Sequence, residues 1–370
     1  MTSITIDIRK IFDSGIGTFI QNILPILISN KPDFTFNLLC YKNELSQLEW
    51  VSAKNVNLID CSSRQYSIKE QIEIPFKIPK NTDIFWMPHF NIPILPVNAR
   101  KKIVTIHDVF HLAFWKDLSW PQKIYSKLII NHAVRNFDKV ITVSKFSKNE
   151  IIKYTKINEK KIKTIYNGIN FEKYCNINND NSLTRLPEKY ILYVGNVKPH
   201  KNITGLIRAF MAVEPEIIAG YKLLIVGKKE GFIINDEKLQ VELENNPLLK
   251  DKITFTGKVS EDELINIYKN ADMLVFPSFY EGFGLPPLEA MASDCPVICS
   301  TAASLPEVCG EAVMYCNPYD HIDIAEKIKK LILNKEIRNR LIEKGRIRAK
   351  YFKWNECAHK YLDIFEKLLN

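Results

Sequence analysis

The stretch "FPSFYEGFGLPPLEAMASDCPVICST", Phe276–Thr301, contains the end of one apolar run, a glycine loop, a helix and the start of another apolar run. The run that ends here, "DMLVFPS", is typical of a buried strand, and so is "CPVICS". Pro286 and Pro287 suit the first turn of a helix, where their missing N–H groups would have no intrahelical partner. Strand, helix and strand in this order predict a parallel βαβ unit.

The same alternation continues on both sides of this stretch, so we expect an α/β protein with two Rossmann-like, doubly wound sheets. In the second half, strands are predicted at 190–196, 221–228, 252–258, 272–278 and 295–300, and helices near 202–213, 260–269, 286–293 and 320–334. In the first half, strands are predicted at 4–8, 34–41, 83–88, 102–108 and 139–144, and helices near 17–30, 120–136 and 145–156.

A polar segment without periodicity, residues 175–189, separates the two halves and is predicted to be a linker. We therefore expect a first domain over 1–174 and a second over 190–351, followed by an amphipathic helix at about 352–370. Two doubly wound sheets joined by a linker form a cleft. Ligands of such sheets bind at the carboxyl ends of the strands.

Charge is distributed unevenly along the 370 residues, whose formal net charge is +9. Residues 1–170 contain 24 Lys+Arg and 14 Asp+Glu, a balance of +10, whereas residues 171–370 contain 27 and 28, a balance of −1. A basic half favours an anionic partner such as a phosphorylated ligand or a membrane surface, although solvated lysines explain it equally simply. The basic residues do not cluster with stacking aromatic residues in a nucleic-acid-binding module, which disfavours nucleic acid.

The eight cysteines form no C-x-x-C motif and no zinc-finger spacing with histidine, so buried free thiols are expected. The first residues lack a basic region followed by an apolar one, and we expect no signal peptide. The uncharged stretch between Asp13 and Lys31 is interrupted by glycine, amide side chains and proline, which argues against a transmembrane helix.

The loop "EGFG" and the helix that follows it predict a site for a phosphate beside hydroxyl groups. Glycine lets an anion approach the backbone, and the N–H groups near Gly284 and Leu285 lie at the positive end of the helix. Glu289, expected in the first helical turn, can accept hydrogen bonds from a diol such as ribose, and Glu281 can meet a sugar ring. A helix-dipole partner and a solvated loop acid are the simpler interpretations of these two residues.

A second loop of the same kind follows the strand that ends at Gly195. It carries Lys198 and Lys201, and Asn202 can cap the next helix. Lysines in such a loop are well placed to neutralise a diphosphate, although each taken singly could equally be an ordinary surface lysine. The pattern G-x-x-x-x-G-K-[ST] is absent, so this is not a P-loop.

These two stretches, with "SLPEVCGEAVMY" (304–315), resemble the nucleotide-sugar half of the retaining glycosyltransferases of family 4, which have the GT-B fold. The family's E-x7-E pattern matches Glu281 and Glu289. Weaker similarity continues upstream in "IRKIFDSGIGTFIQNIL", "IVTIHDVFH", "VITVSKFSKNEI" and "TIYNGIN". The resemblance implies that the final helix crosses back onto the first domain.

The resemblance also implies roles for individual residues of the second half. Glu289 would hold the ribose hydroxyls, and Glu281 would bind the hydroxyls of the transferred sugar. Lys201 would grip the diphosphate, and the backbone amides of Phe283, Gly284 and Leu285 would meet the diphosphate or the sugar. Many family members have an arginine where this chain has Asn196, and Lys198 is the candidate to replace it, without the bidentate geometry of arginine.

In the first half, Gly15 and Gly17 match a family loop that faces the diphosphate. A simple turn between strand and helix is the alternative interpretation. His107 and Asp108 match the residues that line the sugar pocket near the acceptor, and we count His107 with Glu281 and Lys201 as catalytic candidates. A metal held by His107 and His111 is disfavoured, because the two do not share a helical face, and the resemblance implies no metal or other cofactor.

The expected function is therefore transfer of a hexose from a nucleotide sugar, with GDP-mannose as the expected donor because the motifs resemble those of O-antigen mannosyltransferases. The expected acceptor is a lipid-linked oligosaccharide, which the basic first half would meet at the cytoplasmic face of an anionic membrane. Another nucleotide sugar or a sugar-nucleotide epimerase is the alternative. A phosphorylase would need a longer chain, and a non-catalytic scaffold would not need both glutamates.

Overall fold

The computed structural model describes residues 1–176, 186–227 and 251–370. The chain divides into two compact units. The first comprises Met1–Gly168 and Lys353–Asn370, and the second comprises Ile169–Phe352. Each is organised around its own parallel sheet, which the alternation of apolar and amphipathic segments predicts.

The first unit contains a seven-stranded parallel sheet in the order β3-β2-β1-β4-β5-β6-β7. Its strands are β1 Ser3–Asp7, β2 Thr35–Cys40, β3 Val56–Asp60, β4 Thr82–Met87, β5 Ala99–Ile106, β6 Lys139–Thr142 and β7 Ile162–Thr164. The sequence did not reveal the two edge strands. β3 is half exposed and β7 is three residues long, so neither produces a buried apolar run.

Helices cover both faces of this sheet, and each face has its own apolar core. The α-helices of the first unit are Ser14–Asn30, Ile68–Lys77, Phe110–Ala113, Trp120–Asn136, Lys145–Thr155 and Trp354–Leu369. Short 3₁₀ turns occupy Lys42–Glu44, Glu49–Ser52, Trp115–Asp117 and Glu159–Lys161.

The C-terminal helix, Trp354–Leu369, packs on the first sheet although more than 180 residues separate it from the rest of that unit in sequence. Tyr361 is fully buried, and its hydroxyl lies 2.9 Å from Thr105 Oγ1, which in turn accepts a hydrogen bond from Trp86 Nε1 at 3.0 Å. Two strands and the returning helix are thus joined by one chain of buried hydrogen bonds. The amphipathic pattern of this helix reflects that packing.

The second unit contains a six-stranded parallel sheet in the order β10-β9-β8-β11-β12-β13. Its strands are β8 Lys189–Val194, β9 Tyr221–Val226, β10 Ile253–Gly257, β11 Met273–Phe276, β12 Val297–Ser300 and β13 Met314–Cys316. The predicted strand over 221–228 extends to Lys228, which lies outside the described residues.

The α-helices described in the second unit are Phe171–Asn176, Ile203–Ala212, Pro215–Ile218, Glu261–Asn270, Leu285–Ala292, Leu305–Cys309, His321–Leu333 and Lys335–Ala349, with a 3₁₀ turn at Pro199–Lys201. The first of these corrects our boundary at 174, because Lys269 Nζ donates to Cys175 O at 2.8 Å and ties the helix to the second unit. Of the linker predicted over 175–189, residues 177–185 lie outside the described part, and Lys189 already begins β8.

Both sheets have a point where the strand order reverses. In the first it lies between β1 and β4, and in the second between β8 and β11. Loops that leave two such strands diverge to opposite faces of the sheet, which opens a crevice at the carboxyl edge. In the second unit, these two loops are the lysine loop after β8 and the "EGFG" loop after β11.

Within the described parts of the chain, no helix combines the length and the apolar character that crossing a bilayer requires. All eight cysteines are free thiols, and seven of them are buried, as expected from their spacing.

The packing of Tyr361 predicts a large effect of its truncation on stability. Tyr361→Phe should lower the free energy of unfolding by about 1 kcal/mol, because one buried hydrogen bond is lost. Tyr361→Ala should lower it by about 3–5 kcal/mol, because a cavity opens between helix and sheet. Urea denaturation measures both, with the exposed Tyr351→Ala as the control. A loss below about 1 kcal/mol for Tyr361→Ala would contradict this role.

Candidate active site

The lysine loop and the "EGFG" loop meet through one ion pair. Lys201 Nζ donates to both carboxylate oxygens of Glu281, at 2.6 and 2.7 Å, and both side chains are largely buried. The ammonium also lies 5.9 Å from the centre of the Phe276 ring. The two residues are 80 positions apart in sequence, and the pairing of β8 with β11 brings them together.

Asn202 holds the lysine loop in place. Its backbone is left-handed, with φ 56°, and its side-chain oxygen accepts a hydrogen bond from Gly205 N at 3.2 Å, so the predicted helix cap is confirmed. Its amide nitrogen donates to Pro277 O at 3.1 Å and to Pro318 O at 2.6 Å. One side chain therefore caps a helix and fixes this loop to the segment that follows β11.

The "EGFG" loop is fixed by residues to which the sequence analysis assigned no role. Ser304 is fully buried, and its hydroxyl lies 2.9 Å from both Glu281 O and Phe283 O. Gly284 adopts φ +108°, and a Cβ there would lie 2.7 Å from Leu305 Cδ2. Both contacts come from the segment "SLPEVC", whose similarity to the family was the only signal that could have pointed to them.

The helix after this loop begins at Leu285, and Pro286 and Pro287 lie in its first turn, as predicted. Because prolines have no N–H, the backbone donors at this helix end are those of Gly284 and Leu285. The arrangement retains the backbone features of the predicted anion site. Whether it binds a diphosphate stays a prediction.

Glu289 differs from the expectation. It is the fifth residue of the helix and lies in the second turn, because the helix starts one residue earlier than predicted. It is only 8% exposed, and its Oε2 accepts a hydrogen bond from Tyr268 OH at 2.8 Å, with Tyr174 as a further donor. Burial raises the pKa of Glu289 to about 7, although both tyrosines favour the charged form. The helix-dipole interpretation therefore does not apply.

Two further polar atoms lie in the strands and loops that build this site. Tyr193 OH and Ser278 Oγ are buried, and neither has a hydrogen-bond partner within the described residues. Tyr193 lies at the carboxyl end of β8 and its ring stacks on Phe276, the last residue of β11. Lys198 is exposed in the same loop as Lys201 and is not part of the ion pair.

In the first unit, Gly15 and Gly17 are not in a loop. Both lie in the first turn of the helix Ser14–Asn30, and the connection from β1 is formed by the preceding residues. A Cβ at Gly17 would lie 2.5 Å from Ile11 O, so close packing requires glycine there. A Cβ at Gly15 would have no atom within 4 Å, so the space beside this residue is open.

His107 and Asp108 follow β5, at the carboxyl edge of the first sheet. His107 Nε2 lies 3.0 Å from Pro88 O, and because a carbonyl can only accept, this nitrogen is the donor. Burial lowers the pKa of His107, so the ring is neutral at pH 7 and Nδ1 is an acceptor. Asp108 Oδ1 accepts from Phe110 N at 2.9 Å and caps the turn that follows.

A buried charge network that was not predicted from the sequence lies beside the point where the strand order of the first sheet reverses. Arg9 follows β1 and donates to Asp7 Oδ2 at 2.5 Å and to Glu70 Oε1 at 2.6 Å. Burial alone would raise the pKa of Asp7, but Arg9 holds it below its usual range. The charged residues of "DIRK" did not predict this network, because Glu70 lies far from them in sequence.

No group of three or more His, Cys, Asp and Glu side chains suited to a metal ion occurs in residues 1–176, 186–227 and 251–370.

Comparison with family models finds two matches that together extend over most of the chain. Residues 81–173 match the Glycosyltransferase Family 4 model, and residues 177–348 match the model of Glycosyl transferases group 1. The second match contains the lysine loop, the "EGFG" loop and the segment of Ser304.

Among curated proteins, the chain is 34% identical to the O-antigen chain mannosyltransferase RfbU of Salmonella typhimurium, over 68% of this chain and 65% of that protein. It is 28% identical to the O-antigen chain mannosyltransferase B of Escherichia coli, over 77% of this chain and 74% of that protein. It is 30% identical to the uncharacterized glycosyltransferase MJ1178 of Methanocaldococcus jannaschii, over 96% of this chain and 95% of that protein.

Solved structures share the fold along the whole chain. Sucrose-phosphate synthase from Thermosynechococcus elongatus matches with a TM-score of 0.79 at 19% identity, covering 100% of this chain and 99% of that one. Anabaena Alr3699/HepE in complex with UDP-glucose matches with a TM-score of 0.78 at 16% identity, covering 99% and 100%. With these matches and its two parallel-sheet units, the chain belongs to the glycosyltransferases of family 4 and has their GT-B fold.

Proposed function

We propose that this glycosyltransferase transfers mannose from GDP-mannose to a lipid-linked oligosaccharide, with retention of configuration, in the synthesis of a bacterial surface polysaccharide. Support for mannose comes from the two O-antigen chain mannosyltransferases to which the chain is similar. This chain is aligned with only 65% of the length of RfbU, and mannose transfer by this chain is therefore part of our proposal.

The observation that carries the proposal is the Lys201–Glu281 pair beside the amino-terminal end of the helix Leu285–Ala292. A cation and a helix amino terminus both stabilise a diphosphate, and a carboxylate binds sugar hydroxyls. The three features lie together where the strand order reverses, which is where ligands bind in doubly wound sheets.

In this proposal, the donor displaces one partner of the ion pair. The diphosphate takes the place of the Glu281 carboxylate on Lys201 Nζ, and the N–H groups of Phe283, Gly284 and Leu285 share its charge. Glu281 is then released to accept hydrogen bonds from the sugar, and Glu289 accepts them from the ribose. Binding energy thus goes partly into separating two charges that neutralise each other in the free protein.

The bond between the anomeric carbon and the phosphate oxygen then breaks while an acceptor hydroxyl bonds to the same face of that carbon. The hydroxyl proton passes to the departing phosphate oxygen, and GDP is released. Lys201 and the helix end stabilise the charge that develops on the diphosphate, an electrostatic form of catalysis. His107, in its neutral form, and Asp108 are assigned to sugar or acceptor hydroxyls, with Nδ1 of His107 as the acceptor atom.

Gly15, Gly17 and Lys198 have weaker support in this proposal. The open space at Gly15 is compatible with a close ligand approach, whereas packing against Ile11 alone explains Gly17. Lys198 is assigned to the outer side of the diphosphate, and no cofactor or metal is assigned to the reaction.

The donor is tested by the thermal stability of the chain in a panel of GDP-, UDP-, ADP- and dTDP-sugars. We expect GDP-mannose to raise Tm most, because a ligand that binds only the folded state stabilises it. A larger shift with UDP-glucose would overturn GDP-mannose and favour the donor named in the HepE complex. Conversion of a donor without any acceptor would indicate an epimerase instead.

The ion pair predicts opposite effects for its two members. Glu281→Ala should lower kcat/KM for transfer by about 100-fold or more, because the sugar contact is lost in the transition state. Its affinity for GDP should stay equal or increase, because Lys201 no longer has a competing partner. Lys201→Ala should weaken GDP binding by about 10- to 100-fold, because a charge-assisted contact is removed.

Calorimetry with GDP and initial transfer rates measure these effects. The matched changes Glu326→Ala and Lys330→Ala, at two exposed residues, serve as controls. Near-normal transfer by Glu281→Ala would contradict the assigned sugar contact, and unchanged GDP affinity of Lys201→Ala would contradict the diphosphate site.

Glu289 predicts a pH dependence of stability and of donor binding. Its pKa in the folded protein, about 7, lies above the value of 4.5 for a glutamate in water, so between these pH values the folded state keeps a proton on Glu289 that the unfolded state has lost. This contribution makes the folded state more stable at low pH and is lost as the pH rises through about 7. Glu289→Gln should therefore be more stable than the unchanged chain at pH 8, by about 2 kcal/mol.

Donor binding should show the opposite trend, because the ionised carboxylate is the better acceptor for ribose hydroxyls. GDP-mannose affinity should fall several-fold between pH 8 and pH 6 in the unchanged chain and stay flat in Glu289→Gln. Chemical denaturation and calorimetry at pH 6, 7 and 8 measure the two profiles. If the affinity of both proteins for GDP-mannose changed with pH in the same way, the assignment of Glu289 to the ribose hydroxyls would be wrong.

A further inference from the structure

In the first unit, the helix Ile68–Lys77 exposes a row of apolar side chains and buries a carboxylate, Glu70, beside the core residue Ile74. Ile68, Ile72 and Phe76, spaced four residues apart on one face, are 50–84% exposed. Glu70 is instead buried, where it accepts hydrogen bonds from Arg9 and from Tyr66 N. Glu73 accepts from the backbone of Ser62 and Ser63. A surface helix of a globular protein ordinarily shows the opposite arrangement.

The helix Trp120–Asn136 also exposes a row of apolar side chains, in addition to its buried core residues. Trp120, Ile124 and Leu128 have the same four-residue spacing and are 55–73% exposed. The helix contains no Asp or Glu, whereas Lys123 and Lys127 alternate with the apolar residues. Lys123 Nζ lies 5.5 Å from the centre of the Trp120 ring, so the cation stays beside the exposed indole.

Specific contacts join the two helices. The rings of Tyr66 and Tyr125, close in sequence to Ile68 and Ile124, have centroids 6.3 Å apart. Tyr125 OH donates to Asn91 Oδ1, and Asn91 Nδ2 donates to Glu70 Oε2 at 3.1 Å. The buried network that turns Glu70 inward thus also holds the second helix beside the first.

The loop after β4 adds two exposed apolar residues. Ile94 N donates to Gln71 Oε1 at 2.8 Å, which seats Ile94 and Leu95 against the first helix. We call the resulting surface the apolar face; it consists of Ile68, Ile72, Phe76, Ile94, Leu95, Trp120, Ile124 and Leu128. Monomeric proteins rarely expose so many large apolar side chains together unless the surface binds something.

We infer that the apolar face docks on an anionic lipid bilayer. Lysines at positions 69, 80, 116 and 127 are exposed in the same helices or within a few residues of them, and residues 1–170 carry a balance of +10. Apolar side chains that insert between headgroups, with lysines at their margin, are the features by which a helix binds the surface of an anionic membrane. An indole such as that of Trp120 favours the same boundary.

Charge complementarity selects the bilayer over a second copy of this chain. A symmetric contact through the apolar face would bring the lysine margins of two copies together, and like charges that face each other oppose association. An anionic bilayer presents the opposite sign to the same margin.

The position of the apolar face suits an enzyme whose acceptor is anchored in the bilayer. This part of the inference rests on the proposed function. The helix Ile68–Lys77 follows β3 and Asn91 follows β4, so their connections lie at the carboxyl edge of the first sheet, the edge that also carries His107. Docking there would let a lipid-linked acceptor keep its lipid in the bilayer while its sugars reach this edge. The contacts that define the face do not depend on the reaction.

Vesicle flotation tests the inference with the full chain and without any donor or acceptor. We expect co-flotation with 7:3 phosphatidylcholine:phosphatidylglycerol vesicles at 50 mM NaCl, strongly reduced at 500 mM NaCl and with phosphatidylcholine alone. Ile72→Ser with Phe76→Ser, and separately Lys123→Gln with Lys127→Gln, should each lower the partition coefficient by about tenfold or more.

Matched changes on the second unit control for loss of apolar surface and of charge. Leu333→Ser with Ile347→Ser removes two exposed apolar side chains there, and Lys330→Gln with Lys335→Gln removes two exposed cations. Both should leave binding within about twofold of the unchanged chain, since the altered residues lie outside the apolar face. All of the substituted side chains are exposed or half-buried, so an unchanged Tm verifies the fold.

No flotation of the unchanged chain, or equal flotation of all variants, would overturn the inference. Self-association in sedimentation experiments that Ile72→Ser with Phe76→Ser abolishes, without vesicle binding, would assign the face to contact between copies instead. Flotation by a protein that transfers no sugar from any donor would leave the docking surface standing and overturn the proposed function alone. Trp120 fluorescence provides a second readout, because insertion should shift its emission to the blue and Trp120→Phe should lose that shift.

Discussion

The pairing of β8 with β11 is the constraint on which the candidate site depends. These neighbouring parallel strands belong to chain segments about 80 residues apart, and at their shared edge the strand order reverses. Two loops that are unrelated in sequence therefore emerge side by side, and Lys201 and Glu281 lie within hydrogen-bonding distance. Without this pairing, the cation, the carboxylate and the helix end would be three separate surface features.

The residues around the pair make the two loops rigid before any ligand arrives. Asn202 fixes one loop, and Ser304 and the left-handed Gly284 fix the other. An ion pair held in this manner has little entropy left to lose on binding, which favours preorganised electrostatic stabilisation of a leaving diphosphate. The same arrangement imposes a cost, since a ligand has to replace one partner of a pair that is already satisfied.

The first unit shows how one buried network can serve two purposes. Glu70 neutralises Arg9 beneath the carboxyl edge of the sheet, and by pointing inward it leaves the outer side of its helix without a carboxylate. Internal charge satisfaction and an exposed apolar surface are then two consequences of one side-chain orientation. A helical-wheel analysis of "IKEQIEIPFK" predicts that Ile68, Ile72 and Phe76 face the core. In the structure these three side chains are exposed, and Glu70 and Ile74 are buried instead.

The sequence by itself determined the α/β class, most of the strands, the proline-started helix and the Asn202 cap, because these depend on local periodicity and on the conformational limits of single residues. The edge strands β3, β7 and β13 were not predicted, because partial burial and short length leave no apolar run. Tertiary structure alone decided that Lys201 pairs with Glu281, that Glu289 is buried between tyrosines, and that Ile72 and Phe76 face outward. These properties depend on which distant segment packs against each residue, and the local sequence does not predict that segment.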